Sequence, residues 1–457
     1  MEDVIALVLA AGKGTRMRST LPKVLHKAGG MPMVGQVLRA VKGAGTKREI
    51  VVIGFGAAAV KEYLNGAAET VIQEEQLGTG HAVLRAEGLL TGEKGILLVT
   101  CGDTPLVTTE TFEALLACHR DTAAAATVLT ARMPDPAGYG RVIRGAAGRV
   151  AKIVEQKDGS PEELAVNEVN AGIYCFEIPL LWDLLHQIGN SNAQGEYYLT
   201  DIIGLLVEKG ETVSALAAPD FRETLGVNSR LQLAEAEKIF RERKLEQLMA
   251  AGVTLIDPAN TYVEMSVAVG RDTVIYPGTV LEGDTVIGEN CVVGPFVRMT
   301  NVYMGSNNCL QFTYAHDCRI KDGTQVGPFV HFRPDTVIGN DVKVGNFMEV
   351  KNSVVGDGAK LPHLSYIGDS DIGTGVNIGC GTITVNYDGK TKHRTTIQDH
   401  AFIGCNSNLV APVEIGKYAY VAAGSTVTKN VPPKALAVGR AKQRNIENWV
   451  KNDTYSK

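Results

Sequence analysis

The sequence predicts an α/β chain in two parts, a mostly parallel sheet clothed in helices followed by a parallel β-helix, joined by one long charged helix. Three observations carry this. Up to about residue 228, short apolar strands alternate with helical stretches, the order expected of a parallel sheet covered on both faces. From Ser229 to Ala251 there is neither proline nor glycine. Beyond about residue 252 the helical pattern ends and aliphatic residues recur every six positions, a period that marks a parallel β-helix.

In the first part the strand candidates are 4–9, 50–53, 95–100, 125–130 and 172–176, and the helix candidates between them include 33–41, 80–89 and 109–118. Ser229 is a candidate N-cap for the charged run that follows, a spacer helix of about 30 Å. In the last part Val269, Ile275, Leu281, Ile287, Val293 and Met299 fall six apart, as do Ile320, Val326, Phe332, Ile338, Val344 and Val350, and again Ile397, Ile403, Leu409, Ile415, Val421 and Val427. Each hexapeptide supplies one short strand and one turn, and three make a triangular coil, so the span holds about nine coils. The aliphatic residue points inward and stacks on the coil below. Residues 383–396 interrupt the period and are expected to project as a functional loop. The boundaries that follow are 1–228, 229–250 and 251–457.

Charge and cysteines narrow the class. With 45 basic against 50 acidic residues and a net charge of −5, no global basic field points to nucleic acid as a partner. No apolar run reaches the length of about 18 residues that spans a bilayer, and Met1-Glu2-Asp3 lacks the basic start of a secretory signal. The eight cysteines (101, 118, 175, 291, 309, 318, 380 and 405) form no Cys-x-x-Cys pair, and a chain this long has no need of disulfide staples. They read as reduced thiols of a cytoplasmic protein.

The sharpest local signal is the run IALVLAAGKGTRMRSTLPKVLH, residues 5–26. A buried strand enters Ala10-Ala11-Gly12-Lys13-Gly14, whose small residues and consecutive amides suit a phosphate or a tight structural turn. It is no Walker A loop, and Met17 stands where the third glycine of a dinucleotide fingerprint belongs. Asp103 follows an apolar strand at a glycine turn, where an Asp is either a cap or a hard ligand for a cation beside phosphate.

LAAGKGTRM and LPKVL closely resemble the signature of sugar-1-phosphate nucleotidyltransferases. Over essentially its whole length the chain resembles the bacterial bifunctional N-acetylglucosamine-1-phosphate uridyltransferase and glucosamine-1-phosphate N-acetyltransferase family. Further matches are Gln73 with EEQLGTGHA, Cys101-Gly102-Asp103, Gly138-Tyr139-Gly140-Arg141, Glu155-Gln156-Lys157, 167–170 before Ala171-Gly172, and Gly226-Val227-Asn228. The resemblance implies a Rossmann-like nucleotidyltransferase domain and a left-handed β-helix. It implies that Leu9, Ala10, Ala11, Gly12, Arg16, Lys23, Gln73, Gly78, Thr79, Gly102, Gly140, Glu155, Asn170 and Asn228 bind nucleotide and sugar. Asp103 and Asn228 are the implied ligands of Mg²⁺, and UTP and acetyl-CoA the co-substrates.

In the β-helix the resemblance places the catalytic base at His363 and glucosamine-1-phosphate at Arg333, Lys351, Tyr366 and Asn377. Acetyl-CoA falls to Cys380, Asn386, Tyr387, Cys405, Ala423 and Arg440, the last in a basic tail, 434–444, that reads equally as a charged cap. Two positions depart from the family pattern: Cys380 stands where alanine is common, and Cys405 where serine is common. The implied assembly is a homotrimer packed through the β-helix. Two rivals remain open on sequence alone: a monofunctional nucleotidyltransferase whose β-helix is structural or regulatory, and a non-catalytic scaffold.

Overall fold

The computed structural model describes residues 3–145 and 148–450. The described chain divides into two compact units, one ending at Phe240 and the other beginning at Arg241.

The first unit is built on a sheet whose main path runs Val213–Ala217, Ala126–Arg132, Glu168–Glu177, Ile96–Cys101, Val4–Ala10, Arg48–Ile53, Glu69–Ile72. All pairings along it are parallel except those of Glu168–Glu177, which is antiparallel to both neighbours. Apolar side chains alternate between two cores because a strand's side chains do. Ile5 and Leu7 enter one with Leu97 and Val99, while Val4, Ala6, Val8 and Ala10 enter the other with Leu98 and Ile53. Helices Met33–Gly43 and Thr109–Asp121 cover one face, contributing Val37, Val41, Phe112 and Leu115. Ile178–Leu185 and Asp201–Glu208 cover the other.

Two expectations needed adjusting. The single helix expected over 80–89 is two short ones, Thr79–Leu84 and Glu87–Leu90, because the chain tightens at Ala86, whose N–H bonds back to Val83 O at 3.0 Å. The strand expected over 172–176 begins earlier, at Glu168, and its register with Ala126–Arg132 shifts between Asn170 and Tyr174. Gly172 sits in that bulge at φ +72°, a conformation that glycine adopts without the cost other residues bear.

The second unit is one continuous ladder of short parallel strands. Along one of its faces the rungs stand at Thr254, Val274, Val292, Cys309, Gln325, Lys343, Lys360, Asn377, Phe402, Tyr420 and Leu436. Of the aliphatic residues picked out by the six-residue period, all but the half-buried Val269 are buried in the one core that fills the coil. The register also accounts for the phase breaks between the three runs. Successive coils are 18 residues apart at Val280↔Arg298, then only 16 apart at Arg298↔Tyr314, so Met304, Leu310, Ala315 and Ile320 reach the core at steps of five or six. At Ser370↔Thr395 the offset rises to 25, and the surplus forms a projecting loop closed by the antiparallel bridge Tyr387↔Lys392.

The helix Arg230–Ala250 is capped by Ser229, whose Oγ accepts from Gln232 N at 3.3 Å. Within the first unit Glu237 accepts from Gly29 N at 2.7 Å, and Ala236, Ile239 and Phe240 are buried. Within the second, Leu245 and Leu248 close the end of the β-helix core, and the Arg241 guanidinium lies 4.7 Å over the Tyr262 ring.

Candidate active sites

In the first unit the carboxyl ends of Val4–Ala10 and Ile96–Cys101 open into a cleft of about 260 Å³, the place where open α/β sheets bind ligands. Leu9, Ala10, Ala11, Gly12, Lys23, Gln73, Gly78, Thr79 and Asp103 all line it. Gly14, at φ +58°, lets the turn pass so close to Lys23 that a Cβ there would lie 2.7 Å from the lysine's own. Gln73 is buried and fixed by bonds from its Nε2 to Gly78 O and to His81 Nδ1, both at 3.1 Å. Gly102 closes the floor, its N–H bonding Leu9 O at 2.9 Å. Arg16 is exposed on the neighbouring turn Thr15–Met17, which the buried Met17 anchors.

Asp103 and Asn228 meet on a single cation. The Lys23 ammonium donates to Asp103 Oδ2 and, at 2.9 Å, to Asn228 Oδ1, and Val227 N bonds Asp103 O at 2.8 Å, which ties the two segments together. Two hard oxygen donors converging on a positive charge fit a small divalent cation. Among the described residues no cluster of three or more His, Cys, Asp or Glu exists to hold a metal alone, so phosphate and water oxygens would have to complete the shell.

Gly140, Glu155 and Asn170 form a second group. Asn170 N bonds Gly140 O at 2.9 Å, its Nδ2 donates to Tyr174 Oη at 2.7 Å, and a Cβ at Gly140 would sit 3.5 Å from the Glu155 carboxylate. Burial raises the Glu155 pKa against a partly offsetting bond from Thr200 Oγ1 at 3.2 Å. The sequence reading missed Gln76 and Glu196, which also line the cleft. Gln76 lies inside the matched motif, but nothing local marks Glu196.

In the second unit the coil register stacks one residue from each turn into a column. Asn346 pairs with His363 directly. His363 lies over Cys380, bracketed by Lys360↔Asn377 and by the Gly381 N to Leu364 O bond of 2.7 Å. Cys380 lies over Cys405, bracketed by Ile378↔Ile403 and the Asn406 N to Cys380 O bond of 2.7 Å. Cys405 lies over Ala423, bracketed by Ile403↔Val421 and the Gly424 N to Cys405 O bond of 2.8 Å. Arg440 ends the column, its Nη1 on Ala423 O at 2.9 Å. His363 is exposed, with Nδ1 3.3 Å from Asn346 Oδ1.

Beside the column lies a cationic cluster. Arg333 bonds Glu349 Oε1 at 2.9 Å, and Glu349 registers with Tyr366. Lys351 has its pKa lowered, first by contact with the Lys392 side chain. Lys392, on the inserted loop, was also missed by the sequence reading: in isolation it is one more surface lysine. Asn386 is buried at the root of that loop, donating to Asp369 Oδ2 and, at 3.4 Å, to Tyr366 Oη. Tyr387 stands exposed on the loop, and Asn377 precedes Cys380 by three residues in the same coil.

Known proteins define the class. Residues 5–227 match the family model Nucleotidyl transferase, and residues 266–301, 317–347 and 394–429 match Bacterial transferase hexapeptide (six repeats). The unmatched gaps fall where the coils shorten and where the loop is inserted. The chain is therefore an enzyme that couples a nucleotidyl transferase to a hexapeptide transferase. It belongs to the family of the bifunctional protein GlmU. It is 54% identical to that protein of Geobacillus sp. (strain WCH70) over 97% of each chain. The identity is also 54% with Exiguobacterium sp. (strain ATCC BAA-1283 / AT1b), over 98% of this chain and 99% of the relative. With Bacillus velezensis it is 52%, over 99% of each. Among the described residues no helix is long and apolar enough to cross a membrane.

Proposed function

We propose that the column of the second unit acetylates glucosamine-1-phosphate from acetyl-CoA, and that the cleft of the first unit transfers UMP from UTP to the N-acetylglucosamine-1-phosphate so made, releasing pyrophosphate and UDP-N-acetylglucosamine. The observations that support the reading are the cleft lined by Leu9–Gly12, Lys23, Gln73, Gly78, Thr79 and Asp103 in the first unit, and the column of His363, Cys380, Cys405 and Ala423 in the second, with Arg440 at its end and Arg333 and Lys351 beside it.

For acetyl transfer, His363 Nε2 takes a proton from the glucosamine amine as it attacks the thioester. Asn346 Oδ1 accepts from Nδ1–H, which leaves Nε2 as the free base. Arg333, Lys351 and Lys392 form the phosphate seat, and Tyr366, Asn377 and Asn386 hold the sugar and the cofactor's acyl end. The pantetheine arm runs along Cys380, Cys405 and Ala423 toward the Arg440 cation.

For nucleotidyl transfer the attacking sugar phosphate is already ionised, so no general base is needed and catalysis is positioning and charge neutralisation. Backbone amides of Ala10–Gly12 with Arg16 hold the triphosphate, and Lys23 leaves Asp103 for the phosphates. Glu155, Asn170 and Gly140 receive the sugar. Mg²⁺, held by Asp103 and Asn228 once Lys23 withdraws, would neutralise charge on the triphosphate.

The protein is assigned to the cytoplasm, as a homotrimer. Trimer packing is supported by an outward ladder of Phe296, Phe312, Phe329 and Phe347, with successive rings about 5.3 Å apart, a surface of the kind that marks protein association. The deciding experiment incubates the protein with glucosamine-1-phosphate, acetyl-CoA, UTP and Mg²⁺ and identifies products with each component omitted. Absence of CoA release with the first two alone refutes the acetyl-transfer assignment.

A further inference from the structure

This chain carries thiols at two successive steps of the column, next to the base. Adjacent parallel rungs lie about 4.8 Å apart, and the hydrogen bonds on either side of the pair hold Cys380 and Cys405 to that spacing. Cys405 is exposed and Cys380 is half-buried, so one thiol is open to attack and the other lies just behind it. A Cα separation of this size is inside the range that a disulfide spans. Cys380 is also one rung from His363. Acetyl transfer requires the cofactor's sulfur at His363, and the Arg440 cation lies at the opposite end, roughly 15 Å from His363 at three rungs to Ala423. A CoA-shaped molecule seated on the column therefore lays the arm that carries its sulfur across the rungs of Cys380 and Cys405, between His363 and the Arg440 cation.

We propose that Cys380 and Cys405 form a thiol–disulfide exchange site for the disulfide of CoA, through which the acetyl-transfer site is closed when the CoA pool is oxidised. The proposal rests on the acetyl-CoA reading of the column. The thiolate of Cys405 attacks one sulfur of the CoA disulfide, forming a Cys405–CoA mixed disulfide and expelling one CoA thiolate. The thiolate of Cys380 then attacks the Cys405 sulfur, forming the Cys380–Cys405 disulfide and expelling the second CoA thiolate. Two protein thiols are oxidised, one CoA disulfide is reduced to two CoA thiols, and the two protons given up by the cysteines end on those thiols. Either product occupies the path of the pantetheine arm beside His363. The nucleotide cleft has no part in it.

The test uses the full-length protein, freed of reductant, with CoA disulfide or glutathione disulfide at equal concentration. Peptide mass spectrometry follows each cysteine, and both transferase activities are measured against the untreated protein. The exposed Cys309, which lies outside the column, is the internal control. Expected with CoA disulfide are loss of at least nine-tenths of acetyl transfer, unchanged nucleotidyl transfer, a CoA adduct or disulfide at Cys380 and Cys405 that forms ahead of any adduct on Cys309, and recovery on adding dithiothreitol. Glutathione disulfide should react at these two positions at least ten-fold more slowly, while Cys309 should show no preference between the two oxidants. Cys380→Ala should trap the adduct on Cys405, because the resolving thiol is gone. Equal rates with the two disulfides, or modification of neither cysteine in a protein that releases CoA from acetyl-CoA, overturn the proposal and leave the acetyl-transfer reading standing. An untreated protein that releases no CoA overturns that reading instead.

Discussion

Lys23 stands between the two oxygens proposed to hold a metal, and the consequence is measurable without turnover. Its ammonium compensates the Asp103 carboxylate in a site where both side chains are largely buried, at 13% and 17% exposure. Any divalent cation bound to the free protein must displace it. Lys23→Met should therefore tighten Mn²⁺ binding to the substrate-free protein by about five-fold, equivalent to roughly 1 kcal/mol, read by electron paramagnetic resonance titration. The same variant should lose about 100-fold or more in UMP transfer, because the charge meant for the phosphates is gone. Unchanged Mn²⁺ affinity would mean that the lysine does not contest the site. His119 carries a different prediction. It is buried, with Nδ1 on Thr127 Oγ1 at 2.9 Å and Nε2 3.2 Å from Glu177. Burial, helped by the neighbouring Arg120 charge, holds its pKa down at about 4 from 6.5. The unfolded chain binds this proton first, so the stability is present in full above about pH 6.5 and is lost as pH falls from there toward 4. That loss is roughly 2–3 kcal/mol at about pH 4.5, less whatever Glu177 returns by favouring the imidazolium. Urea unfolding followed by nucleotidyl transfer should show it in the native protein, and His119→Leu should flatten it.

At the scale of elements, the long helix serves as an end-cap, and the β-helix should need it. Leu245 and Leu248 are buried over the first coils with Val253, Val263 and Val267, and burying each leucine is worth about 1.5–3 kcal/mol. A fragment of residues 241–457 should therefore unfold about 3–6 kcal/mol more stably than one of residues 251–457, whose open core should also aggregate. Equal melting temperatures for the two would reduce the helix to a tether. The sequence showed that a helix stands here, because a capped, proline-free and glycine-free run is a local signal. It did not show the buried leucines, because a helix shared between two cores has no single apolar face. The β-helix was legible for the opposite reason: its inward residue repeats locally. Its shortened coils were not, since removing one residue from a turn shifts the phase while leaving the stack intact. The site was legible where glycines and small residues constrain backbone, as in Ala10–Gly14. It was not legible where a side chain arrives alone from elsewhere, as Glu196 and Lys392 do.

For the whole molecule, the two chemistries make different demands on charge, and this predicts that they separate cleanly. UMP transfer handles a triphosphate and pyrophosphate, so on the proposed assignment it depends on the oxygens of Asp103 and Asn228 and on a divalent cation. Acetyl transfer moves a neutral acyl group to an amine, so it depends on a base. The groups proposed to serve each lie within one compact unit: Lys23, Asp103 and Asn228 in the first, His363, Arg333, Lys351 and Arg440 in the second. Asp103→Ala should abolish UMP transfer, by at least about 100-fold on the scale of a lost charge-stabilising group, and leave CoA release within two-fold of normal. His363→Ala should lower CoA release by about 10²–10⁴-fold, the usual worth of a general base, and leave UMP transfer on supplied N-acetylglucosamine-1-phosphate intact. Chelation with EDTA should reproduce the first variant and not the second. If either substitution, in a protein that keeps its circular dichroism and its melting temperature, removed both activities, one site would be serving both reactions and the division into two independent catalytic units would be wrong.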